Sequence, residues 1–345
     1  MGLFILRRLG IMLLTALCLT FIVFWLTNLY PNLEKLAKTQ GNFRMTEAEV
    51  ASFLEPRGYL EPLPIKYGQW LGVLPGHVSE DGQLGRCIRP GVAPEDAPRF
   101  CGVLQWNWGF STFAKEDVDQ IVFKRLGLTG WLMLAVMCVM VPGALIVGVL
   151  AGMREGSPLD RSLSTFSITT TATPEYVSGV IFIAVFASSA VGLKWFKGSA
   201  ASAMNDITFE NFALPVLTIA LYGMGYIARM TRASMAEVMT AQYIRTARLK
   251  GQSFRNIVLK HALRNALIAP FTVIMLQFPW LLNGVVIVET LFNYKGFGWL
   301  LVQAAGNNDI DLLLAVSVVS VFVVLATQLI SDIGYVYLNP RIRVS

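Results

Sequence analysis

The chain has 345 residues, of which 54% are hydrophobic and only 14% charged, and its mean hydropathy is +0.56. Ordinary soluble domains carry about 25% charged residues, so this composition excludes most soluble classes. Two His and four Cys leave little material for a zinc or iron–sulfur site, and in a chain this apolar a formal charge of +6 points to a membrane and not to nucleic acid.

Six charge-free runs follow in order: Leu9–Leu33, Leu126–Met153, Tyr176–Leu193, Asn211–Ala228, Asn265–Val288 and Leu312–Ser331. A helix of roughly 20 residues crosses about 30 Å of hydrocarbon. Backbone polar groups in lipid need internal partners, and the runs lack the alternation of a membrane barrel, so the reading is an all-α protein with six transmembrane helices. After the first run the chain continues Asn28-Leu29-Tyr30-Pro31-Asn32 with no small-x-small cleavage site, which predicts an uncleaved span behind Arg7-Arg8. If the N-terminal side is inside, the inside segments hold fourteen Lys and Arg and the two short outside loops hold three, Lys194, Lys197 and Lys295. The positive-inside rule then predicts cytoplasmic termini.

The division expected along the chain is 1–33 (N-terminus and first span), 34–125 (a long outside loop) and 126–345 (five further spans). Within the loop, Tyr59, Leu60, Leu63, Ile65, Tyr67, Trp70 and Leu71 offer a small apolar core. Residues 72–102 read as an insertion, punctuated by Pro75, Gly76, Gly82, Gly85, Pro90, Gly91, Pro94 and Pro98. It carries Cys87 and Cys101, read as a disulfide if that compartment is oxidising and as two separate thiols otherwise. Cys18 and Cys138 fall in spans and read as packing residues. Eight of the twelve residues in Ser162–Thr173 are Ser or Thr, and the run leads into Pro174-Glu175, so the third helix should begin polar and bend near Pro174. Glu175 is then either a passage-lining carboxylate or a residue near the inner end of the third helix that pairs with a local Arg or with solvent.

There is no His-Glu-x-x-His, no Gly-x-Ser-x-Gly and no Gly-x-x-x-x-Gly-Lys-Ser/Thr in the chain, which weighs against common hydrolases and against ATP hydrolysis. His77 and His261 fall on opposite sides of the expected topology. The informative stretch is Arg229–Arg264, where eight Lys and Arg face one acid, Glu237. Arg245–Lys250 suits a short helix, Gly251 a left-handed stop, and Ser253 the cap of the next helix. Such a unit can enter a partner's groove; the plain alternative is a basic loop against anionic lipid.

Tyr243–Gly251, followed by Lys260-His261-Ala262-Leu263-Arg264-Asn265-Ala266-Leu267, resembles the signature loop of bacterial binding-protein-dependent ABC importer permeases. The resemblance is greatest to the first-permease type of the dipeptide, oligopeptide and nickel branch. Phe4-Ile5-Leu6-Arg7-Arg8, Glu61–Tyr67, Trp108-Gly109-Phe110-Ser111, Val288-Glu289-Thr290-Leu291-Phe292 with Gly296-Phe297-Gly298, and Asn339-Pro340-Arg341-Ile342-Arg343 resemble that family's landmarks. The resemblance implies the type I importer permease fold in a bacterial inner membrane. It also implies a second, usually non-identical permease, two cytoplasmic ATPase subunits that hold ATP and Mg, and a periplasmic binding protein. No cofactor is implied in this chain. The docking residues it implies are Tyr243, Arg245, Thr246, Ala247, Arg248, Lys250, Gly251 and Arg255. Glu289 is a candidate for the outer mouth, and the resemblance makes it structural as readily as functional. Two features depart from the pattern. Arg245-Thr246-Ala247 stands where the wider superfamily has Glu-Ala-Ala, and the 72–102 insertion is longer than usual. The cargo expected is a peptide, with nickel, an opine or a sugar as alternatives inside the same architecture. A stand-alone secondary transporter and a membrane enzyme are the competing classes.

Overall fold

A computed structural model describes residues 2–80, 84–88, 96–189 and 193–338. Asn339–Arg343, and Gly82, Pro90, Gly91 and Pro94 of the insertion, lie outside the described residues. Among the described residues there is no sheet, only two isolated bridges, Val78 with Gly85 and Phe110 with Asp117. The helices are α1 Gly2–Thr27, α2 Tyr30–Gln40, α3 Glu47–Leu54, α4 Leu63–Leu71, α5 Val118–Gly152, α6 Pro158–Ala172, α7 Glu175–Phe182, α8 Phe209–Met239 and α9 Gln242–Leu249. They continue with α10 Phe254–Ala266, α11 Ile268–Leu291, α12 Phe297–Gly306 and α13 Ile310–Leu338.

Four of these helices are long and apolar enough to cross a bilayer, and two bent pairs bring the number of candidate spans to six. The first charge-free run is two helices, not one. Asn28 turns its Nδ2 back onto the Phe24 carbonyl at 3.0 Å, and α2 starts afresh with Pro31 in its first turn. The third span bends by 102° between α6 and α7. Proline forces its predecessor out of the helical region, and Thr173 accordingly sits extended at φ −87°, ψ 121°. The Ser/Thr hydroxyls of α6 fold back onto their own helix, as Thr173 Oγ1 does to the Thr169 carbonyl at 2.8 Å. The second bend, 51°, separates α10 from α11. Pro270 has no N–H to offer the Ala266 carbonyl there.

The chain forms two compact units. Residues 300–322 cluster with 5–126, not with the remainder of 126–345. In the unit built on 127–299 and 323 onward, Leu132, Val136 and Met140 of α5 pack with Ile219, Ala220 and Ile227 of α8 and Val285 and Val288 of α11. Close approach depends on small residues four apart on α5: Ala144, Gly148 and Gly152. A Cβ on Gly148 would lie 2.6 Å from the Ala228 carbonyl, and one on Gly152 2.6 Å from both the Arg232 carbonyl and Met235 Cβ.

Helix α6 is tied to α8 by a bidentate pair. Arg232 donates from Nε to Asp160 Oδ1 at 2.6 Å and from Nη2 to Oδ2 at 2.8 Å. Asp160 is buried and also accepts from the Gly156 amide and the Ser164 hydroxyl. Breaking a buried pair typically costs 3–5 kcal/mol. Because the Arg232 side chain keeps 30% of its exposure, Arg232→Ala is expected to cost less, about 2 kcal/mol after solvent screening. It should lower the melting temperature of the solubilised chain by several degrees, with Asp160→Asn milder. A wild-type melting curve for Arg232→Ala would show that the pair does not hold α6.

In the unit built on 5–126 and 300–322, α4 lies on α1 through aromatic rings. Tyr67 meets Phe21 edge-on at 5.2 Å between centroids, and Trp70 packs on Phe24 at 5.6 Å. Trp70 is buried, but Leu60 and Ile65 are exposed, so the expected apolar core of this segment is smaller than its composition suggests. The insertion is pinched at its base: a Cβ on Gly102 would lie 2.6 Å from Gly72 Cα. Above the pinch Cys87 is bonded to Cys101, with Cα atoms 5.5 Å apart. Cys18 and Cys138 are exposed and pack into no core, contrary to expectation. Asp309 gathers this unit. It is buried and accepts from Ser111 Oγ at 2.7 Å, from the Phe113 amide at 3.1 Å and, at the start of α13, from the Leu312 amide at 3.2 Å.

Candidate functional site

The segment 242–266 forms a helix, a sharp turn and a second helix. Helix α9 is strongly amphipathic because Ile244 and Ala247, three apart, fall on one face. Both are buried against Met235 and Met239 of α8 and Ile257, Val258 and Ala262 of α10. This apolar seam makes the two arms one body. Ala247, expected at the docking surface, is therefore part of the packing beneath it. Tyr243 is exposed, and its hydroxyl accepts from Asn265 Nδ2 at 2.9 Å, joining the start of α9 to the end of α10.

Helix α9 stops as the sequence suggests. Gly251 has φ +73°, its amide bonds the Arg248 carbonyl at 3.0 Å, and Gln252 N–H reaches back to Ala247 at 3.2 Å. A Cβ on Gly251 would meet nothing within 4 Å. Positive φ alone makes the glycine necessary, and bulk at the turn is not the obstacle. Ser253 then caps α10 by accepting from the Asn256 amide.

Arg245, Thr246, Arg248, Lys250 and Arg255 are all exposed around this turn. The sequence reading missed Leu249, which is 82% exposed at the tip, two residues before the glycine. It lies off the Ile244/Ala247 face, and that phase was the available signal. An apolar knob ringed by cations is what a partner pocket with an acidic rim would engage.

The two carboxylates singled out in the sequence are placed elsewhere. Glu289 is fully buried near the end of α11. It accepts from the Thr129 hydroxyl in a very short contact and from the Trp299 amide at 2.9 Å. Thr129 in turn accepts from the Phe297 amide at 2.8 Å, and Tyr294 donates to the Leu128 carbonyl at 2.7 Å. Gly298 leaves room, since a Cβ there would lie 3.2 Å from Glu289 Oε2. Glu289 thus clamps the 293–299 turn onto the start of the second span and faces no open mouth. Glu175 opens α7 directly after the 102° break. Its Oε2 is buried with no hydrogen-bond partner, and among the described residues no Arg pairs with it.

The family described as "Binding-protein-dependent transport system inner membrane component" matches residues 144–344. A probable peptide ABC transporter permease of Sinorhizobium fredii is 32% identical over 99% of this chain and 100% of its own length. An oligopeptide transport system permease of Bacillus subtilis is 29% identical over 87% of each chain. A solved structure described as an amino acid ABC transporter aligns with TM-score 0.47 and 13% identity, over 63% of this chain and 94% of that one. The family match covers more than half of the sequence and includes the whole helix–glycine–helix segment and Glu289, so this chain belongs to the inner membrane components of binding-protein-dependent transport systems and is a multi-pass permease subunit of the ABC importer type.

Proposed function

We propose that this chain, with a second and non-identical permease, forms the passage of an ATP-driven importer for peptides or peptide-like solutes handed over by a periplasmic binding protein. The names of the relatives support the cargo class. The observation that carries the coupling role is the rigid α9–Gly251–α10 unit with Leu249 at its tip. ATP and Mg are bound by two cytoplasmic ATPase subunits, each with a groove that receives such a tip, while this chain holds no cofactor and binds no nucleic acid. Closure of the ATPases moves the tip, and the buried seam under Ile244 and Ala247 passes that movement to α8 and α10. Both termini lie in the cytoplasm of a bacterial cell, and Glu175, with its unpartnered oxygen at the helix break, is available to line the passage.

The decisive comparison is reconstituted uptake with and without ATPase subunits. Leu249→Ala and Arg248→Glu should insert normally, because neither side chain is buried. Each should weaken ATPase co-purification at least tenfold, since a central apolar anchor and a reversed interfacial charge each cost upwards of about 1.4 kcal/mol. Uphill uptake by the chain alone would favour a secondary transporter, and full ATPase retention by both variants would remove the docking role. A Leu249→Cys chain should label only after the cells are permeabilised. Labelling from outside would invert the topology.

A further inference from the structure

Within the unit of 5–126 and 300–322 lies a cavity of about 410 Å³, inside the range of small-molecule sites. Its apolar floor includes Phe24 and Leu314. Two of its cations are already committed. Lys66 Nζ donates to the Tyr59 carbonyl at 2.9 Å, and Arg57 donates to the Phe53 carbonyl at 2.7 Å while its guanidinium covers the Phe53 ring at 3.7 Å.

Four further polar side chains on the wall, Arg86, Asp311, His77 and Tyr59, each keep a polar atom free among the described residues. Arg86 and Asp311 act on each other electrostatically, yet they are not in ion-pair contact, and among the described residues neither side chain has a hydrogen-bond partner. His77 is oriented by Glu61, 2.8 Å from its Nδ1, and its Nε2 is buried with no partner. Among the described residues the Tyr59 hydroxyl is likewise unpaired. Its phenol is raised above the ordinary value by burial and then by the Asp311 charge, so it stays a donor. Gly109 clears space for the carboxylate: at φ +93° it carries no Cβ where one would lie 2.7 Å from Asp311.

A guanidinium and a carboxylate that share a cavity without touching suit a molecule that carries both charges itself. Each end would then make a charge-assisted hydrogen bond. We propose that this cavity binds a small zwitterionic solute, a free amino acid or a dipeptide, with its carboxylate on Arg86 and its ammonium on Asp311. The Tyr59 hydroxyl and His77 Nε2 serve its remaining polar atoms. The site is separate from the helix–glycine–helix unit and does not depend on what the passage carries.

The test is calorimetric titration of the purified full chain in lipid nanodiscs. Alanine and alanyl-alanine are the two zwitterionic probes, and N-acetyl and C-amide forms of each are the blocked ones. At least one zwitterion should saturate a single site, and which one does identifies the source. Both blocked forms should bind at least tenfold more weakly. Arg86→Gln should erase the penalty for amidation and Asp311→Asn the penalty for acetylation, each weakening the parent probe at least tenfold. Arg86→Lys should bind between wild type and Arg86→Gln, and Arg248→Glu as wild type does, which separates this site from the docking role. An intact Cys87–Cys101 bond and an unchanged gel-filtration profile certify the variants. No saturation by either probe at millimolar concentration, indifference to blocking, or wild-type affinity in both Arg86→Gln and Asp311→Asn would overturn the proposal.

Discussion

Gly148→Leu is expected to leave little folded chain in the membrane. Its Cα faces the α8 backbone so closely that a first carbon would already lie 2.6 Å from the Ala228 carbonyl. Overpacking a core usually costs 1–3 kcal/mol, because neighbouring side chains turn aside. Here part of the obstacle is main chain, so α5 and α8 must separate along a face that also includes Ala144 and Gly152. The cost should reach about 3 kcal/mol or more. Gly127→Leu is the internal control: it lies on the same helix with nothing within 4 Å of an added Cβ. Membrane level and a monodisperse gel-filtration peak are the readouts. Equal yields of the two variants would mean that the helices are not held this close.

Glu289→Ala should be nearly as damaging, by a different route. The carboxylate satisfies the Thr129 hydroxyl and the Trp299 amide in a fully buried setting. Its removal strands two donors at about 1–3 kcal/mol each, so the expected loss is about 4 kcal/mol. Glu289→Gln keeps one accepting oxygen but turns an amide toward groups that also donate, and should fall between. Thermal unfolding of the solubilised chain ranks the three. A melting temperature for Glu289→Ala within a degree of wild type would sink the clamp and reopen a role for this residue at the passage mouth.

Much of the fold was legible because hydropathy and charge act locally. The break at Pro174 follows from the missing amide and the restricted predecessor, both visible in the residues Thr173-Pro174. The left-handed stop at Gly251 is visible in the same way. Span lengths were less legible. Helix α8 runs on past Ala228 through Arg229 and Arg232 to Met239, because Arg232 finds Asp160, a partner 72 positions away. Size patterns were hidden too: Ala144, Gly148 and Gly152 are simply apolar in a hydropathy count. At the helix–glycine–helix segment the charges were legible and the knob was not, since counting Lys and Arg passes over Leu249. For Glu289 a mouth role and a structural role stood equally open, because a carboxylate beside an apolar run fits either. Its assignment to a clamp needed Thr129, 160 positions away. The cavity of the 5–126 and 300–322 unit was out of reach of sequence for the same reason, as Arg86 and Asp311 come to line one wall only in three dimensions.

Asp309 also sets a clock. Its partners Ser111 and Phe113 leave the ribosome 198 and 196 residues before it does. At about 5–20 residues per second, that interval is roughly 10–40 s. For that time the first long loop has its own helices and can close Cys87 onto Cys101, but it lacks the carboxylate that receives the Ser111 hydroxyl and the Phe113 amide. The loop closure is entropically mild, growing only logarithmically with length, so the delay is one of supply and not of search. A nascent chain stalled before residue 309 should therefore expose this loop to proteases, and one released after it should not. The residue that leads into α13 is thus also the part that completes the first loop.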